Sequence, residues 1–64
     1  MYKIFITNVN DEDFLALVDY LKERDTTIEF DVEYHVLFVL DSILCWVEDQ
    51  LVDKCMQYTV ERHY

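Results

Sequence analysis

The 64-residue chain contains no glycine and no proline, although average usage of about 7% and 5% would supply several of each. Without glycine there is no glycine-rich phosphate loop, no dinucleotide fingerprint and no nucleophile elbow, because each needs a backbone approach that a Cβ obstructs. Positive charge is scarce as well. Five Lys and Arg stand against fourteen Asp and Glu, a formal net charge of −9. Between Asp11 and Asp53 the imbalance is sharper: thirteen acids face two bases, Lys22 and Arg24. Phosphate contacts need Lys and Arg, so direct binding to nucleic acid is excluded, and an anionic membrane surface with it. The natural counterpart of such a field is a basic protein surface.

Long apolar runs are missing too. The longest, Val36 to Leu40, is far too short to span a bilayer, and no positively charged leader precedes it, which leads us to expect a cytoplasmic protein. Of the two cysteines, Cys45 and Cys55 are read as lying on one helix, ten positions and roughly 15 Å apart along its axis, too far to pair. They are expected to be small buried apolar groups in a reducing compartment.

Catalytic and metal chemistry have little to build on. Cys45, Cys55, His35 and His63 lack the close paired spacing of zinc ligands, so no metal is expected. The stretch NVNDED, residues 8 to 13, alternates oxygen-bearing side chains as a calcium loop does. It lacks the required glycine and the closing glutamate, and reads as a helix cap. His35 as a base, or either cysteine as a nucleophile, has no orienting group and no oxyanion donor in the sequence. Glu48 and Asp49 are adjacent on a helix and point apart. We expect no enzyme and no cofactor. His35 is placed on a strand at a sheet edge or on the open face, and His63 in a frayed terminus.

What is present is periodicity. MYKIFIT alternates Tyr2, Ile4 and Ile6 with Lys3, Phe5 and Thr7, a first strand. Asn10 or Asp11 caps a helix whose stripe is Phe14, Leu17, Val18 and Leu21, with acids in its first turn and Lys22 and Arg24 in its last. Residues 26 to 33 read as a second strand and His35 to Leu40 as a third, apolar on both faces. Between them no Gly, Asn or Pro favours a tight primed turn, so a looser reversal or a bulge is expected.

Asp41 or Ser42 then caps a second helix with the stripe Ile43, Leu44, Val47, Leu51, Cys55 and Tyr58. The tail QYTVERHY either extends this helix or forms a fourth strand. The expected fold is therefore α+β, a single domain over residues 1 to 64 in the order βαββα, with an antiparallel or mixed sheet packed by two helices. With the fourth strand it becomes a ferredoxin-like βαββαβ arrangement. Apolar residues make up 53% of the chain, generous for a domain that buries only about 60% of its unfolded surface. The excess is expected to close a homodimer or a partner interface.

The acidic residues read in two ways: as the polar face that any solvated strand needs, or as charges placed for use. Glu29, Asp31 and Glu33 alternate with apolar residues, and in an extended chain residues two apart share a face at roughly 6.6 to 6.8 Å. Successive DNA phosphates rise by about 3.4 Å and, with helical winding, stand on the order of 6 to 7 Å apart. Glu12, Asp19 and Glu23 on the first helix would add a second row. Trp46 points away from the stripe of the second helix by its spacing, with Asp49 and Asp53 on its side, and reads either as an aromatic anchor ringed by acids or as a side chain that fills a gap between helix and sheet or packs in a dimer.

Two functions follow from this pattern. The first is a non-catalytic inhibitor, encoded by a phage or mobile element, that mimics the DNA phosphate backbone and blocks a host nucleic-acid-binding protein. The alternative is a small homodimeric regulatory or structural adaptor that binds through an apolar surface on the Trp46 side. In size and charge the chain resembles small acidic proteins with which bacteriophages disable host nucleic-acid-binding proteins. That likeness implies the general type and assigns no residue.

Overall fold

The computed structural model describes residues 1–62; His63 lies outside them. The elements run β1 (Tyr2–Ile6), α1 (Asp11–Arg24), β2 (Glu29–Asp31), β3 (Val36–Val39), a 3-10 turn (Asp41–Ile43), α2 (Leu44–Asp53) and β4 (Tyr58–Arg62). The strands form one sheet in the order β2-β3-β1-β4, and every neighbouring pair is antiparallel. This is the ferredoxin-like βαββαβ arrangement, with the tail as its fourth strand.

Both helices cover one face of the sheet. Ile4 and Ile6 of β1, Leu37 and Val39 of β3 and Ile28 before β2 form one core with Phe14, Leu17, Val18 and Leu21 of α1 and Val47 and Leu51 of α2, none more than 3% exposed. Burying a side chain of this size stabilises the fold by about 1.5 to 3 kcal/mol relative to leaving it in water. The core is thus set by the four-residue stripe of α1 and the two-residue alternation of β1. Helix α1 begins where Asn10 Oδ1 accepts the Asp13 N–H at 2.8 Å, which satisfies one of the free amides of the first turn.

Strand β2 is shorter than the expected 26 to 33, because side-chain bonds to nearby backbone stop it at both ends. Asp25 Oδ1 accepts the Thr27 N–H at 2.8 Å and also the Thr27 hydroxyl. Asp31 Oδ1 accepts the Glu33 N–H at 3.0 Å. Both are Asx turns, which offer the backbone an alternative to the ladder. Residues 32 to 35 then make a looser four-residue reversal between the paired Asp31 and Val36. Without glycine, His35 takes the left-handed conformation there, at φ 53°, an uncommon but tolerated choice for His. His35 is therefore on neither a strand nor the open sheet face. Its carbonyl accepts the Ile6 N–H at 3.0 Å and its ring turns toward α1.

Helix α2 departs from expectation at both ends. Neither Asp41 nor Ser42 caps it through a side chain. These residues lie in the 3-10 turn, and Ile43 occupies the N-cap without a side-chain bond. The Asp41 carboxylate is held instead by the Met1 amine at 2.7 Å, and a charge-assisted contact of that kind outcompetes a neutral backbone amide.

At the far end Cys55 lies beyond the helix, left-handed at φ 58°. The Met56 N–H reaches Leu51 O at 2.9 Å and the Cys55 N–H reaches Val52 O at 3.0 Å, the paired bonds of a Schellman ending. Met56 packs back on the core that contains Leu51. Both cysteines are exposed rather than buried: Cys45 rides on the outer side of α2 and Cys55 holds the cap. The chain beyond is laced to β1 by Thr7 N–H to Gln57 O at 2.9 Å and Gln57 N–H to Asn8 Oδ1 at 2.8 Å.

Candidate partner-binding surface

The two faces of the molecule distribute the acids differently. On β2, Phe30 pairs with Leu37 and its ring lies 6.2 Å from that of Phe14, so it points toward the helices. Glu29 and Asp31 flank it and therefore point to the open face of the sheet. Glu33 falls in the reversal after β2, turned out of the strand by the Asp31 Asx turn. The expected row of three carboxylates thus reduces to two. Glu12, Asp19 and Glu23 are on the other side of the molecule, because α1 packs against the opposite face of the sheet. The strand row and the helix row do not combine.

The helical layer concentrates charge. Helical spacing sets Glu12, Asp19 and Glu23 opposite the buried stripe of α1, and Asp49 and Asp53 opposite Val47 and Leu51 of α2; all five are exposed. Asp19 and Glu23, and likewise Asp49 and Asp53, are four residues and roughly 6 Å apart along their axes. Among the described residues none of these five carboxylates has an ion-pair partner.

The lysines nearby lie over aromatic rings. The Lys22 Nζ stands 5.6 Å from the centroid of Phe30, and the Lys54 Nζ 4.9 Å from that of Tyr20. The negative field also reaches β4. Burial chiefly raises the pKa of the Tyr58 hydroxyl above its ordinary 10.0, and the charges of Glu48 and Asp49 raise it further.

Trp46 is not the exposed anchor its position on the helix suggests. It is half-buried and packs against the core, since an indole is long enough to reach round the flank of a helix. Asp49 and Asp53 remain outside. An aromatic among acids does exist elsewhere, between α1 and β2. There Phe30, 39% exposed, floors an open groove with Val18, rimmed by Asp19, Lys22 and Glu23. The sequence signal for it was the alternation of β2, which sets Phe30 on the same side as the core residue Ile28.

Among the described residues no helix is long and apolar enough to cross a membrane. No known protein family, curated protein or solved structure matches the chain.

Proposed function

We propose that the chain is a non-catalytic binding module that occupies the basic, nucleic-acid-binding surface of another protein by presenting carboxylates in place of DNA phosphates. The observation that carries this reading is the set of exposed, unpaired carboxylates on the outer sides of α1 and α2. Their spacing within each pair, roughly 6 Å, is close to the through-space separation of successive phosphates, about 6 to 7 Å. The groove beside Asp19 and Glu23 adds specificity. An incoming Arg or Lys meets the carboxylates of Asp19 and Glu23 at the rim, and reaches Phe30 only by displacing Lys22, whose Nζ stands 5.6 Å from that ring. The acids of the helical layer, rather than Glu29, Asp31 and Glu33 together, are the phosphate substitutes.

Binding of this kind falls steeply with salt and competes with duplex DNA for one site. The test is capture of partners on the immobilised chain, with salt elution and duplex competition. Two charge-reversed variants run in parallel: Asp19→Lys/Glu23→Lys/Asp49→Lys/Asp53→Lys, and Glu29→Lys/Asp31→Lys. The proposal expects a retained basic protein to leave with salt and with duplex, to be lost with the helical variant and to be kept with the strand variant. Retention that ignores salt, duplex and the helical variant refutes it.

A further inference from the structure

The face of the sheet turned away from the helices carries a row of residues that is complementary to its own copy. Partners on neighbouring antiparallel strands project to the same side. The register Glu29↔Phe38, Lys3↔Phe38 and Lys3↔Glu61 therefore lines up Glu29, Phe38, Lys3 and Glu61 across β2, β3, β1 and β4. A second line, Asp31, Val36, Phe5 and Thr59, runs beside it. None of these residues belongs to the cluster beneath the helices, although Val36 is itself buried, 3% exposed. Phe5 and Phe38 are half-buried, and the Lys3 Nζ stands 5.5 Å and 5.8 Å from their ring centroids.

Over its inner three positions, Glu29, Phe38 and Lys3, the first line is antisymmetric in charge about Phe38; Glu61, on the edge strand β4, lies beyond them. Glu29 stands one strand away on one side and Lys3 one strand away on the other, each at about 4.8 Å. A two-fold axis parallel to β3, passing over Phe38 midway between two facing sheets, sets that ring against its own copy. The same operation sets Lys3 of each copy against Glu29 of the other. We infer that the open sheet face is a homodimer interface built on this line, with Phe38 at its centre and two reciprocal Lys3–Glu29 contacts.

The contact is isologous, so one surface supplies both halves, and two sheets pack face to face at about 10 Å. The outer sides of the helices offer no such match, since Glu12, Asp19, Glu23, Asp49 and Asp53 would meet like charges. Aromatic rings on an open four-stranded sheet also suit stacking of single-stranded bases, but Glu29, Asp31 and Glu61 border them and repel phosphate. This inference goes beyond the proposed function and does not depend on it: the dimer leaves both helical layers facing outward.

Sedimentation of the full chain tests it, over concentrations from about 10 μM to about 1 mM. The expected result is a monomer–dimer equilibrium that Glu29→Lys weakens by about tenfold or more, and that Lys3→Glu/Glu29→Lys restores when Glu61→Gln removes the like charge beside position 3. Lys3→Glu alone sits beside Glu61 and strains the sheet. Glu29→Lys on the exposed edge strand and Phe38→Ala at the centre are therefore the single variants measured, with circular dichroism confirming that each folds. A chain that stays monomeric throughout, or folded variants that dimerise as well as the parent, overturns the inference. So does binding of a single-stranded oligonucleotide that Phe5→Ala abolishes. Target capture is read separately, so the failure of one proposal leaves the other standing.

Discussion

His35 Nε2 lies 2.6 Å from Asp11 Oδ1, and the His35 ring stands 5.1 Å from that of Phe14. The reversal after β2 is thereby clamped to the first turn of α1, at the cost of a left-handed backbone at His35. Two substitutions separate the two effects. His35→Ala keeps the backbone cost and loses the ring, so it should destabilise the fold by about 1 kcal/mol. His35→Gly also loses the ring but relieves a left-handed cost of about 1 to 2 kcal/mol, and should be the more stable of the two. Urea unfolding of both variants and the parent checks this: the reverse order would mean that the left-handed backbone at His35 carries no such cost, and a His35→Ala variant as stable as the parent would mean that the ring contacts do not hold the loop.

Cys55 makes the complementary case, because its side chain has no role in the cap that its backbone forms. Only its left-handed φ matters to the Schellman ending. Cys55→Gly should raise stability by about 0.5 to 1 kcal/mol, the relief of the Cβ clash less the added freedom of the unfolded chain. Thermal unfolding reads this directly, and a lower midpoint would reveal a contact made by the thiol. Since both cysteines are exposed, a thiol reagent should titrate two groups without denaturant.

The acid and alkaline limits of stability follow from three groups. Hydrogen bonds from Thr27 hold the Asp25 carboxyl below its ordinary 3.8, and the bond from the Met1 amine does the same for Asp41. A depressed carboxyl stabilises the fold fully above its unfolded value, and that contribution is lost as pH falls through the folded value. Tyr58 has the opposite sign. Its raised pKa stabilises the fold below 10.0 and the benefit is lost as pH rises through the folded value. Stability should therefore be flat near neutrality, falling below pH 3.8 and above pH 10.0. Asp25→Asn should remove part of the acid limb in pH-dependent unfolding, and an unchanged limb would rule Asp25 out as a contributor.

These residues also mark how far the sequence could be read. The stripe of α1 and the alternation of β1 were legible because each is a simple period over a whole element, whereas the tail that forms β4, Tyr58–Arg62, fitted a helix extension as well as a strand. The length of β2 was not legible: Asp25 and Asp31 satisfy a strand's alternation equally well while their carboxylates build Asx turns. Cys55 follows Leu51 at helical spacing, so the end of α2 is invisible without the left-handed turn. Which acids share a side depended on where β2 stops and which face α1 covers, and that is tertiary information. Trp46 kept its angular position and still packed inward, because side-chain length overrides helical phase.

Asp19 and Glu23, and Asp49 and Asp53, are like-charge pairs on one helix face, and such pairs cost stability. Replacing Glu23 or Asp53 by Lys turns repulsion into attraction and should stabilise the free protein by a few tenths of a kcal/mol. Under the proposed function the same change weakens partner binding. Salt should separate the two properties in the same way. Added salt screens the self-repulsion of a net −9 chain and raises its unfolding midpoint, while it lowers affinity for a basic partner. Urea midpoints and binding constants measured across one salt series should therefore move in opposite directions. If the Lys variants bind the partner as tightly as the parent, these acids are a solvated surface and the binding site lies elsewhere.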